Sequence, residues 1–145
     1  MIGYLHFGDY WHDGHGQYTL LLVEVPDELS VFKAQQKIKQ KYGVNFFDDF
    51  ANDYKEANLS RENWQALIDT EYPVQQLIYY DECNDWSGIK SLEEALEIDP
   101  NPCVSIDFVE NAFVWLLNAF GAEITVVDQP PIISMSSVGY GCFWV

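Results

Sequence analysis

The chain has 145 residues, of which 48% are hydrophobic and 16% aromatic, a content too high for a disordered acidic tail. It carries 23 Asp and Glu residues against seven Lys and Arg, so its formal net charge at pH 7 is −16. A negative field of this size opposes binding to nucleic acid and to anionic membranes, and it favours basic partners. The length is that of one ordinary domain, so we expect residues 1–145 to form a single globular domain with its acids on the surface.

The first elements are predicted to be a β-hairpin and a helix. Residues 2–7 and 18–25 are rich in strand-forming types, and the glycine-rich segment 8–16 between them predicts a long connecting loop. Pro26-Asp27-Glu28 then predicts the start of a helix that ends at Gly43. One face of this helix is apolar: Val31, Ala34, Ile38 and Tyr42. Another face carries three of the seven basic residues: Lys33, Lys37 and Lys41. This basic row is interpreted as a solvated face, with pairing to the chain's own acids or to a second copy as alternatives.

The middle of the chain is less regular. Residues 44–59 are ambiguous, because apolar anchors alternate there with acids. Ser60 predicts the N-cap of a short helix, and residues 74–80 predict a strand after it. The segment 81–88 is an acidic, turn-rich loop, and Ser91-Leu92-Glu93-Glu94 is the capping box of another short helix. The side chains of the first short helix that should face inward are Trp64, Leu67 and Ile68.

The strongest helical pattern covers residues 106–120, with Ser105 as N-cap and Gly121 as its end. This helix is apolar on nearly every face, so either the domain encloses it or a partner covers it. Short strands are predicted at 123–127, 132–135 and 141–145. The order of elements predicts an α+β fold: an N-terminal β-hairpin and a mainly antiparallel or mixed sheet, packed against one long and two or three short helices.

The first loop holds a cluster of potential metal ligands. His12 and His15 lie three residues apart, Asp9 and Asp13 flank them, and His6 precedes the loop. Imidazole and carboxylate groups suit zinc or another transition metal when three or four of them converge. A glycine-rich loop does not fix that geometry, so an exposed turn, a binding surface and a metal site all remain interpretations of these residues. A small metal-dependent enzyme centred on this loop is the corresponding functional hypothesis.

Two acidic segments are candidates for a protein-binding surface. The predicted contact residues are Asp48, Asp49, Asp53, Asp81, Glu82, Asp85 and Trp86. Four more acids extend the same patch: Glu56, Glu62, Asp69 and Glu71. Neither segment has the spacing of a calcium-binding EF-hand loop. The patch is interpreted either as a solvated acidic face or as a surface that docks on the Lys and Arg residues of another protein.

No motif in the sequence specifies a reaction. The Gly- and Ser-rich segment 136–141 lacks the lysine of a phosphate-binding loop, and no nucleophile elbow is present. We therefore expect no catalytic residue and no cofactor, with a divalent metal in the first loop as the alternative. The first residues lack the basic and long apolar segments of an export signal. The three cysteines, an odd number, are expected to be reduced thiols in a cytoplasmic protein: Cys83, Cys103 and Cys142.

The leading hypothesis is a non-enzymatic inhibitor that occupies the basic, nucleic-acid-binding surface of a partner protein, such as a nuclease. Its basis is the charge of residues 42–145, which hold 18 acids and three bases and so carry −15. Immunity proteins and phage-type nuclease inhibitors solve the same physical problem, which is a functional analogy and not a resemblance of sequence. Besides the metal-dependent enzyme, the alternative is a subunit of a homo-oligomer that associates through the apolar helix at 106–120.

Overall fold

The computed structural model describes residues 1–8, 18–43, 56–73, 88–100, 102–127 and 141–144. The strands within them are β1 (Ile2–Gly8), β2 (Tyr18–Glu24), β3 (Glu56–Asn58), β4 (Cys103–Ser105), β5 (Thr125–Val126) and β6 (Gly141–Trp144). The helices are α1 (Glu28–Tyr42), α2 (Arg61–Asp69), α3 (Leu92–Ile98) and α4 (Ile106–Ala119). The fold is therefore α+β, as predicted. The strands predicted at 74–80 and 132–135 lie outside the described residues.

The main sheet has four strands in the order β5-β2-β1-β6. β1 and β2 form the predicted antiparallel hairpin, with Ile2 opposite Glu24 and Gly8 opposite Tyr18. β5 is antiparallel to β2, whereas β6 runs parallel to β1, so the sheet is mixed. Met1 extends the hairpin, because its backbone nitrogen and oxygen both bond to the backbone of Val25 at 2.9 and 2.8 Å.

A second, two-stranded sheet joins β3 to β4 in antiparallel register. Ala57 lies opposite Val104, so segments almost fifty residues apart in sequence are paired. Neither strand is among the predicted elements, because three residues carry little local pattern and the pairing is long-range. Ser105, predicted as a helix cap, ends β4, and α4 begins at the next residue.

Side-chain caps confirm the predicted starts of α1, α2 and α3. At the start of α1, Asp27 Oδ1 accepts a hydrogen bond from the Ser30 backbone N–H at 2.7 Å. At α2, Ser60 Oγ accepts from the Asn63 N–H at 3.2 Å. These bonds satisfy backbone donors that have no partner inside a helix.

The cap of α3 differs slightly from a strict capping box. Ser91 Oγ accepts from the Glu94 N–H at 3.2 Å, as predicted. The Glu94 carboxylate, however, accepts from the N–H of Lys90 at 3.0 Å, one residue before the N-cap. The reciprocal arrangement of the box is kept, but it reaches one residue further back along the chain.

The core lies between the main sheet and the helices. Its largest fully buried side chains include Leu5, Val23, Ile38, Leu67, Phe113, Leu116 and Leu117. The apolar face predicted for α1 is confirmed, with Tyr42 partly exposed at its edge, and the three lysines of the basic row are exposed. The domain buries the apolar stripe of α4, which includes Val109, Ala112 and Phe113, whereas Asn111 and Trp115 on its other side are exposed. Among the described helices, none combines the length and apolar character that crossing a bilayer requires.

Candidate interaction surface

The structure describes none of the side chains predicted as primary contacts. The acidic segments and the metal-ligand loop lie outside the described residues: Asp9, His12, Asp13, His15, Asp48, Asp49, Asp53, Asp81, Glu82, Asp85 and Trp86. Their convergence on one face therefore stays a prediction. In the described part of the chain, no group of three or more His, Cys, Asp and Glu side chains is arranged to hold a metal ion.

Of the acids predicted to extend the patch, three are described with their side chains. Glu62, Asp69 and Glu71 are all exposed on α2 and the turn that follows it. Glu56 lies in β3. Three more exposed acids lie on α3: Glu93, Glu94 and Glu97. The exposed bases of these same regions are Arg61 and Lys90, so the surface formed by α2 and α3 is predominantly acidic.

An open cleft of about 390 Å³ lies between the end of α2 and the start of α3. The residues that line it include Ile68, Glu71, Tyr72, Lys90, Leu92 and Glu93. A neighbouring hollow of about 280 Å³ is lined by Tyr72, Pro73, Asn111 and Trp115. Because Tyr72 and Pro73 line both, we call the two together the Tyr72 cleft.

The turn after α2 shapes this cleft. Glu71 has a left-handed backbone (φ 58°), which lets the Tyr72 N–H return to the Leu67 carbonyl at 2.9 Å and the Glu71 N–H to the Ile68 carbonyl at 3.1 Å. This is the bonding pattern of a Schellman helix end. The turn leaves the Glu71 side chain exposed and the Tyr72 side chain buried.

Aromatic packing holds the buried side of the cleft. The Tyr72 ring meets Phe108 and Trp115 edge to face, with ring centroids 5.6 and 5.4 Å apart. The Trp115 indole N–H donates to Thr70 Oγ1 at 3.1 Å, and 37% of this residue remains exposed. Burial raises the pKa of Tyr72 to about 12, so its hydroxyl stays neutral at physiological pH. The cleft thus joins an apolar, aromatic interior to a charged rim.

Comparisons with known proteins identify no relative. No family model, no curated protein and no solved structure matches the chain. The charge, the packing and the surface shape of this chain therefore have to indicate its function.

Sequence reasoning identified part of this surface and missed the rest. Glu71 is one of the acids predicted to extend the patch, and Trp115 belongs to the helix that is predicted to be apolar on nearly every face. Nothing local, however, indicates that Tyr72, Trp115 and Glu93 share one cleft. Three separate elements contribute them, and only tertiary packing brings these elements together.

Proposed function

We propose that this chain is an acidic, non-enzymatic interaction protein that docks on a basic surface of a partner protein. The partner's surface is of the kind that binds nucleic acid, so docking inhibits a nuclease or another nucleic-acid-binding protein. The observation that carries the proposal is the exposed acidity of α2 and α3 around an aromatic-walled cleft. In this function the chain supplies charge and shape, and it performs no reaction of its own.

Charge and packing contribute differently to such docking. The excess of acids attracts a basic partner over a distance and raises the association rate, an effect that salt screens with a Debye length of about 10 Å at 0.1 M. Binding energy comes mainly from a few desolvated aromatic or arginine anchors near the centre of the contact. Trp115, which is 37% exposed, is a described side chain of that type beside the acids, and Trp86 is a predicted second.

A binding experiment on a panel of basic nucleases tests the proposal. Association is measured by surface plasmon resonance at about 0.05 and about 0.3 M salt, and nuclease activity is measured in parallel. We expect at least one nuclease to bind with an association rate that falls steeply with salt, and to lose activity on binding. A basic protein with no nucleic-acid site serves as the control and should bind weakly. If no nuclease binds, or if binding is indifferent to salt, the proposal is wrong.

The contact residues predicted from sequence are tested with variants of equal charge. One variant changes Asp48, Asp49 and Asp53 to Asn; a second changes Asp81, Glu82 and Asp85 to the corresponding amides. The control changes three exposed acids elsewhere to Gln: Glu24, Glu28 and Glu123. We expect each of the first two to slow association with the partner more than the control does. Equal slowing by all three would mean that only the net charge matters and that these segments make no specific contact.

We also propose that the protein works in a reducing, cytoplasmic setting. The odd number of cysteines, three in all, supports this placement, because a full set of internal disulfides cannot form. Titration of the unfolded, freshly purified protein with a thiol reagent should find three free thiols per chain. One free thiol per chain would indicate a disulfide and contradict the placement.

A further inference from the structure

We propose that the Tyr72 cleft receives an arginine side chain of the basic partner. This inference rests on the proposed function, because it names the chemical group through which that partner is recognised. It concerns described residues only. It adds a specific pocket to an acidic surface that would otherwise recognise the partner only by long-range charge attraction.

The rim of the cleft has the charge that an arginine requires. Glu71 reaches it from the turn after α2, and Glu93 from the first turn of α3. Both are exposed acids, and neither has a hydrogen bond that fixes its carboxylate among the interactions of the described residues. A guanidinium group pairs with carboxylates through two parallel N–H bonds, which adds geometric selectivity to the charge attraction.

The wall of the cleft suits the rest of the same side chain. The partly exposed Ile68 supplies apolar surface for the methylene stem, above the buried Leu92 and Tyr72 at the base of the cleft. Trp115, in the adjoining hollow, supplies exposed aromatic surface. Arginine stacks on aromatic rings. It is also less strongly hydrated than lysine, so it loses less hydration free energy on entering such a site. A volume of about 390 Å³ is near the lower end of the range for ligand pockets, which fits one or two side chains and not a large ligand.

Lys90 is the one residue lining the cleft whose charge opposes this occupant, among the lining residues that the structure describes. Its backbone N–H, not its ammonium group, makes the bond to Glu94. The side chain is therefore free to be replaced without loss of the cap of α3. Removing it should make the cleft more attractive to a guanidinium, a result that a general loss of structure would not give.

A labelled heptapeptide of alternating arginine and glycine, with a lysine version for comparison, is the probe. Its dissociation constant is measured by fluorescence anisotropy against the wild-type protein and four single variants: Glu71→Gln, Glu93→Gln, Lys90→Ala and Glu97→Gln. The last is the matched control, because Glu97 is an exposed acid of the same helix that does not line the cleft. Each change of an acid to Gln alters the net charge equally, so differences among them report position.

We expect Glu71→Gln and Glu93→Gln each to weaken arginine-peptide binding about 3- to 10-fold, which is the loss of one charge-assisted contact at a partly exposed site. Lys90→Ala should tighten binding about 2- to 5-fold, and Glu97→Gln should change it less than about 2-fold. The lysine peptide should bind more weakly than the arginine peptide. The indole N–H resonance of Trp115, assigned with Trp115→Phe, should shift when the arginine peptide is added.

The outcomes separate this inference from the proposed function. If Glu97→Gln weakens binding as much as Glu93→Gln does, or if Lys90→Ala has no effect, the cleft is not the site. In that case a salt-dependent complex between the wild-type protein and a basic nuclease would still support the broader proposal. If no basic nuclease binds the wild-type protein, the proposed function fails whatever the peptide does.

Discussion

A side-chain hydrogen bond joins the end of α1 to the end of α2. Tyr42 Oη donates to Asp69 Oδ2 at 2.8 Å, and Gln65 Nε2 donates to the other carboxylate oxygen at 2.8 Å. The bonds from Gln65 and Tyr42 lower the pKa of Asp69, because they favour its charged form. Burial, and then the bond to Asp69, raise the pKa of Tyr42 to about 12.

Replacing Tyr42 by Phe should lower the free energy of unfolding by about 0.5–1 kcal/mol at neutral pH, a small effect because the bond lies at the surface. Since the folded pKa of Asp69 is below its unfolded value, the contribution is present above the unfolded pKa and is lost as pH falls through the folded pKa. Urea unfolding at neutral and at acidic pH measures it. In an Asp69→Asn background, Tyr42→Phe should lose this pH dependence. A difference that persists unchanged in acid would contradict the assignment.

Two of the tyrosines that the structure describes should ionise only in strong alkali. Tyr42 and Tyr72 both have folded pKa values of about 12, above the ordinary value of 10.0. Because these values are raised, folding is favoured below pH 10 and loses stability as pH rises from about 10 to about 12. The absorbance of tyrosinate follows the titration. Tyr42→Phe and Tyr72→Phe should each remove one tyrosine ionisation with a pKa of about 12. If a variant instead loses an ionisation near the ordinary pKa of 10.0, the replaced tyrosine is exposed to solvent.

At the scale of elements, the exit from α4 is fixed by a backbone turn and a side-chain clamp. Gly121 has a left-handed backbone (φ 99°), and the Ala122 N–H returns to the Leu117 carbonyl at 3.0 Å. Asn118 then holds Ile124 on both sides: its Oδ1 accepts from the Ile124 N–H at 2.5 Å, and its Nδ2 donates to the Ile124 carbonyl at 3.0 Å. The clamp sets the direction in which the chain enters β5.

Asn118→Ala should therefore lower the free energy of unfolding by about 1–3 kcal/mol, because it leaves two backbone groups of buried Ile124 without partners. Asn118→Asp keeps only the oxygen that accepts from the Ile124 N–H, so it should lower the free energy of unfolding less than Asn118→Ala does. Asn111→Ala is the control, since Asn111 is exposed on the same helix. Urea unfolding compares the three variants. A cost for Asn118→Ala no larger than that of Asn111→Ala would show that the clamp contributes nothing.

At the scale of the whole molecule, charge is unevenly distributed. α1 carries four of the seven bases, whereas residues 42–145 carry 18 of the 23 acids. The acids repel one another, and this self-repulsion destabilises the folded state. The same negative charge attracts basic proteins. Under the proposed function, docking and stability therefore make opposite demands on the same side chains.

Added salt should raise the thermal unfolding temperature, because screening weakens repulsion within a chain of charge −16. Calorimetry between about 0.02 and about 0.5 M sodium chloride measures the slope. A variant with Glu93, Glu94 and Glu97 changed to Gln should show a smaller slope. An unfolding temperature that stays flat or falls with salt would contradict self-repulsion as a determinant of stability.

The candidate surface was predictable only in part. Side-chain type and spacing indicate exposed acids on α2 and in the turn after it, and Glu71 is one of them. The cleft was not predictable, because its lining comes from α2, α3 and α4, and the relation between those helices is not a local property. Asn63 shows the same limit: it is polar yet 0% exposed, and within the described residues neither its Oδ1 nor its Nδ2 has a hydrogen-bond partner.

The amino-acid sequence by itself determined the acidity, the α+β class, the hairpin and the starts of the helices. These follow from composition, periodicity and caps such as Asp27, Ser60 and Ser91, which act within a few residues. Only the tertiary structure decided the parallel pairing of β6 with β1, the pairing of β3 with β4, and the cleft around Tyr72. Each of these joins segments distant in sequence, and the packing of a shared core, not any local preference, selects among the arrangements that the local patterns allow.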